Sequence, residues 1–139
     1  MFFVPDFGVT CRSFGSFFYP FANDSDLMMP AYGFDRRGFG TSQGERGLLN
    51  TSEAAFKDHW DFMDSVGHLR GYPPTIPKIL VSHGLGSLYA AHMCSQRPGY
   101  FTASISLAPW FGLRKKPSSF GQNFMMAKSF MPRVRGYNS

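Results

Sequence analysis

Apolar residues in this chain come in short runs separated by glycine- and proline-rich breaks, with one longer stretch of helical period. Met1-Phe2-Phe3-Val4, halted by Pro5, has the length and continuity of a buried strand. Phe14 to Phe21 predicts a short helix that Pro20 cuts early. Leu27 to Phe34 predicts a second strand, with Pro30 at its start or edge. Asp35 to Gly47 is too glycine-dense to hold a regular element. From Thr51 or Ser52 the period turns helical. Ala55, Phe56, Trp60, Phe62, Met63 and Val66 make an apolar face, and Lys57, Asp58, Asp61 and Asp64 the opposite one. A loop containing Pro73 and Pro74 leads to the strand Lys78-Ile79-Leu80-Val81, which ends at Ser82-His83-Gly84. A helix from Leu85 to about Gln96, closed by Pro98 and Gly99, is followed by a strand over Phe101 to Leu107.

Strands and helices alternating at this spacing predict an α/β fold, a mainly parallel sheet of at most four strands with crossover helices. Past Trp110 the pattern gives way to a basic, Phe/Met-rich stretch. Phe120, Phe124, Met125, Ala127, Phe130 and Met131 trace one amphipathic helix between Pro117 and Pro132. Docking on a core or a partner is the favoured reading of that helix, ahead of lying on a membrane surface.

Composition narrows the class. A chain of 139 residues, 43% hydrophobic and 17% aromatic, suits one ordinary domain and excludes collagen-like, coiled-coil and wholly disordered classes. No run reaches the roughly 18 apolar residues of a membrane span, and no basic segment precedes the first apolar run. Cys11 and Cys94 share no metal-type spacing and read as free thiols in a reducing, intracellular compartment. Charge is unevenly spread. All nine acidic residues lie at or before Asp64 beside five basic ones, net −4, and the nine Lys and Arg beyond it meet no acid at all. Such a split suits contact with an acidic surface, or a fragment whose balancing acids lie elsewhere.

Candidate chemistry centres on Val-Ser-His-Gly-Leu-Gly-Ser, residues 81–87, where a buried strand turns sharply into a helix. A Gly-x-Ser-x-Gly turn in that context is the nucleophile elbow of α/β-hydrolases. Asp35-Arg36-Arg37-Gly38-Phe39-Gly40-Thr41-Ser42-Gln43-Gly44-Glu45-Arg46 matches a D-x-x-G-x-G-x-S-x-G-x-R segment about forty residues upstream. With both segments in order, the chain resembles the monoacylglycerol lipase and serine aminopeptidase-like branch of the α/β-hydrolase superfamily. The resemblance runs from about Phe3 to Leu113. It implies the N-terminal part of such a core over residues 1–113, truncated before the strands that carry the acid and the histidine. Residues 114–139 then form the start of a cap-like segment. The motif loop comprises Asp35, Gly38, Gly40, Ser42, Gly44 and Arg46. The elbow comprises Ser82, His83, Gly84, Leu85 and Gly86.

Three departures separate this chain from such an enzyme. Gly84 stands where the serine belongs, and glycine has no side chain with which to attack an ester. It also relieves about 1–3 kcal/mol of strain at a position held in an unusual backbone conformation. The oxyanion loop reads Asp6-Phe7-Gly8 in place of the usual His-Gly, so a carboxylate stands near the developing negative charge, although Gly8 still permits a backbone donor. After Gly84 there is no acidic residue, and His92 is the only histidine, so the Ser-acid-His order is unsupplied. Ser82 and Ser87 face other directions and are not expected to substitute. His59, His68, His83 and His92 are scattered, so neither a metal nor a cofactor is implied. Nor does any phosphate-cradling glycine pattern appear.

These observations predict a catalytically inactive, monoacylglycerol lipase-like protein that acts as a structural or interaction subunit of a larger assembly. The alternative is part of a serine hydrolase acting on monoacylglycerol or other acyl esters, completed by another chain or by further sequence. Expected partners are proteins covering the sheet edge and the C-terminal segment, through Arg114, Lys115, Lys116, Phe120, Phe124, Phe130, Arg133 and Arg135. Contact with a membrane or other acidic surface ranks second and nucleic acid last, for want of any RNA-binding signature.

Overall fold

A computed structural model of the chain describes residues 1–48 and 51–111. Four strands, β1 (Phe2–Val4), β2 (Tyr32–Gly33), β3 (Ile79–His83) and β4 (Ala103–Leu107), form one parallel sheet in the order β2-β1-β3-β4. The register pairs Phe3 with Gly33 on one side and with Val81 on the other, and Ser82 with Ser106. Helices α1 (Gly15–Asn23), α2 (Ser52–Arg70) and α3 (Gly86–Gln96) pack with the sheet among the described residues, with a 3-10 turn at Cys11–Phe14 before α1.

Alternation along the strands divides the core in two. Phe2, Val4 and Leu80 face α2 and α3, where Trp60, Met63, Val66, Ala90 and Met93 close over them. Phe3 and Val81 face the other way and are covered by Phe18 of α1. Thr51 caps α2 by accepting the Ala54 N–H at its hydroxyl, and Gly71, at φ 63°, ends the helix in the left-handed conformation. Trp60 Nε1 donates to Gln96 Oε1 at 2.9 Å, which ties α2 to α3.

Several expected elements differ in extent. Pro20 does not end α1, which continues to Asn23. The strand expected over Leu27–Phe34 pairs only at Tyr32–Gly33, because Pro30 lacks a donor and Met28 lies at φ 42°, off the extended conformation. His59, which the apolar pattern of α2 passes over, is buried among that pattern's residues. Among the described residues β4 forms one edge of the sheet, with its first four residues exposed, Ile105 at 47%. Among the described residues no helix is long and apolar enough to cross a membrane. The tail 114–139, with its expected amphipathic helix and partner-binding residues, lies outside the described residues.

Candidate functional site

β3 delivers Gly84 to the sheet's carboxyl end, where φ is +55° and the chain turns at once into α3. L-residues reach that conformation only under strain, which glycine escapes. Gly84 is anchored by its N–H to the Leu107 carbonyl (3.1 Å), while its own carbonyl accepts from Ser87 and Trp110, each at 3.1 Å. Gly86 has a different reason to lack a side chain. A Cβ there would lie 2.3 Å from the Val4 carbonyl oxygen, so the small residue lets α3 cross close over β1.

The deciding side chain comes from the loop after β1. Asp6 Oδ1 accepts the Phe7 N–H at 2.7 Å and the Leu85 N–H at 2.8 Å. A Cβ built on Gly84 would fall 2.3 Å from both Asp6 Cγ and Oδ2. The carboxylate therefore fills the space in which a residue-84 side chain would stand. His83 Nδ1 is buried and lies 3.9 Å from Asp6 Oδ2, beyond hydrogen-bonding distance. The loop amide that reaches this point belongs to Phe7. Gly8 contributes the turn, at φ +76°.

Beneath the elbow, Ser82 and Ser87 are fully buried. Ser82 Oγ lies 3.3 Å from Ser87 Oγ and 3.1 Å from the Oγ of Ser106, an exposed residue of β4, so the Ser82 and Ser87 hydroxyls find partners inside the protein and face no solvent themselves. Neither is positioned to attack an external ester.

The segment 35–46 folds on itself. Asp35 accepts N–H groups from Cys11 (2.8 Å) and Thr41 (3.1 Å), and its backbone carbonyl receives the Ser42 hydroxyl. Gly38 N–H donates to Gln43 O at 3.0 Å, and Arg46 Nη1 to Gly40 O at 2.8 Å. Gly40 must be glycine, because a Cβ would sit 1.8 Å from Asp35 Oδ2 at a φ of +52°. This loop supports the Asp6 loop: Phe39 packs edge-on against Phe7 at 4.9 Å, and Arg36 Nη2 donates to the Pro5 carbonyl at 2.9 Å. Its motif residues thus fold the loop on itself.

With this geometry in place, the comparisons with known proteins are specific. The family described as serine aminopeptidase, S33, matches residues 10–138. The chain belongs to that family. It is 30% identical over 84 residues to the monoglyceride lipase of Homo sapiens and 26% identical over 83 residues to that of Mus musculus. Each match spans 60% of this chain but 26% of the relative, so the chain covers about a quarter of the curated proteins it resembles. The crystal structure of Paleococcus ferrophilus monoacylglycerol lipase superposes with a TM-score of 0.65 at 24% identity, over 96% of this chain and 46% of that one. That likeness establishes a partial α/β-hydrolase fold.

In an S33 α/β-hydrolase frame, the amide following the elbow position and an amide from the loop after the preceding strand form the oxyanion hole. The amides at the corresponding places in this chain are those of Leu85 and Phe7, and Asp6 Oδ1 accepts from both. Sequence reasoning put Asp6 near the hole but not inside it. It also missed Arg36 and His59, both buried and both lining a cavity of about 20 Å³ beside Tyr89. Arg36 lies 4.3 Å over the Tyr89 ring, and burial lowers its guanidinium pKa from the usual value. Burial pushes the His59 imidazole down to about 4, while its Nδ1–H donates to the Ala55 carbonyl. His92 is exposed and stacks on Phe56 at 4.3 Å, a surface packing role. A larger cavity, about 700 Å³, lies at the strands' amino ends between Met1, Met29, Tyr72 and Tyr100, opposite the end where such folds bind ligands. Among the described residues no three His, Cys, Asp or Glu side chains converge on a metal position.

Proposed function

We propose that this chain is a monoacylglycerol lipase-like α/β-hydrolase element that performs no acyl transfer of its own and serves as a structural or interaction component of a larger assembly. One observation carries the reading. The Asp6 carboxylate occupies both the oxyanion hole and the volume a nucleophile at position 84 would need. A negative charge fixed there opposes the developing oxyanion and denies it its donors. The assembly half of the proposal is supported by β4, which among the described residues is an edge strand whose exposed positions include neither charge nor proline. Edges without such protection pair readily with other chains. The same reading assigns the protein to a reducing, intracellular compartment, in which Cys11 and Cys94 stay the free thiols they are. A protein partner on β4 and the C-terminal segment is proposed ahead of an acidic or membrane surface.

The test has two readouts. Incubated with a fluorophosphonate probe, the purified protein stays unlabelled, and its native mass at source is that of a complex well above 15.6 kDa. Stoichiometric labelling at Ser82 or Ser87 would overturn the inactive reading. A native mass equal to that of the chain alone would overturn the assembly reading.

A further inference from the structure

The two amides at the oxyanion-hole positions hold a carboxylate even though the residue between them and an ester substrate is glycine. Two amides from separate loops, Phe7 after β1 and Leu85 at the start of α3, converge on one oxygen at 2.7 and 2.8 Å. The group pointing to a ligand is a ligand already seated, a carboxylate belonging to the chain itself. Helix α3 turns its amino end toward that oxygen, which adds a favourable partial charge. The carboxylate is held from outside its own turn, because Leu85 lies 79 positions from Asp6 and reaches it only through the β1–β3 pairing. Arg36 secures the backbone immediately before Asp6 and places a buried guanidinium under the loop.

We propose that Asp6 acts as an internal plug, an autoinhibitory contact that keeps a working monocarboxylate site closed, and that deleting its side chain opens this site to a small external carboxylate. The space available matches the group. The Gly84 void and the hole together hold one carboxylate, which is all that Asp6 puts there. A monocarboxylate such as acetate supplies the same acceptor geometry and charge. A halide supplies charge without the second oxygen that lies in the Gly84 void, and an uncharged amide supplies the oxygen without the charge. In the wild-type protein the plug competes at very high effective concentration, so external carboxylates do not enter. The inference rests on position 84 lacking a nucleophile, but its readout is binding, so its failure is distinct from finding esterase activity.

The experiment titrates sodium acetate into the ¹⁵N-labelled protein, with sodium chloride at equal ionic strength as the control. In Asp6→Gly, the Phe7 and Leu85 amide resonances shift saturably with millimolar acetate and not with chloride. In the wild type and in Asp6→Asn, whose amide oxygen keeps the hole filled, the same resonances ignore acetate. Absence of a saturable shift in folded Asp6→Gly, or an equal shift in the wild type, overturns the proposal. If Asp6→Gly does not fold in chloride, refolding in acetate replaces the titration. Recovery in acetate alone supports the plug, and no recovery overturns it.

Discussion

Replacing Gly84 by alanine isolates the Asp6–Gly84 relationship. The perturbation adds one methyl group at a φ of +55°, with its carbon 2.3 Å from the Asp6 carboxylate carbon. The left-handed backbone by itself costs a non-glycine residue about 1–2 kcal/mol. The clash then expels the carboxylate from two charge-assisted N–H bonds, each worth about 1.5–3 kcal/mol. Asp6 is about one-third exposed, so water re-solvates it and the low end of that range applies, about 3 kcal/mol for the pair. Gly84→Ala should therefore cost about 4–5 kcal/mol in the wild type and only about 1–2 kcal/mol in an Asp6→Gly background. The entropic cost of the new glycine at position 6 is common to both Asp6→Gly proteins and cancels in the cycle. Urea denaturation of the four proteins measures the coupling, expected near 3 kcal/mol. If Gly84→Ala alone fails to fold, recovery of folding in the double variant gives the same sign. Equal costs in the two backgrounds, within about 0.5 kcal/mol, would refute the steric reasoning.

Three further outcomes follow from particular residues. Gly40→Ala drives a methyl into Asp35 Oδ2 and should free residues 35–47; limited trypsin digestion should then cleave at Arg36, Arg37 or Arg46 at least tenfold faster than in the wild type. His59 takes up its proton near pH 4 when folded and near 6.5 when unfolded, so the unfolded chain binds more protons in between. Stability is then full above about 6.5 and falls by up to about 3 kcal/mol as pH drops toward 4. Urea midpoints across that window should show this slope, and His59→Gln should flatten it. The Cys11 thiol is pushed up to about 12, first by burial and then by Asp35. Its alkylation by iodoacetamide at pH 8 should run two to three orders of magnitude slower than that of an ordinary exposed thiol, as intact-mass spectrometry of a Cys94→Ser variant would show.

Local patterns determined much of this protein by themselves. The run Ile79–Val81, the helical period from Ala55 to Val66 and the glycines at 84 and 86 each encode structure in neighbouring residues. The parallel sheet, its crossover helices and the elbow were legible for that reason. Glycine at position 84 also declared the missing hydroxyl without any structure. The extent of β2 was not legible, because strand length there depends on where Pro30 and Met28 leave the chain free to pair. Nor was the burial of Arg36 and His59, since their partners Pro5 and Ala55 are backbone carbonyls that leave no mark in composition. Only the tertiary structure decided what Asp6 does. In the sequence it is a carboxylate near a hole it ought to disturb. In the fold, β1 pairs with β3, the Leu85 amide arrives from 79 positions away, and the void at Gly84 admits the side chain. Hydrogen bonds and excluded volume act through space, so a relationship between residues that distant exists only once the sheet has brought them together.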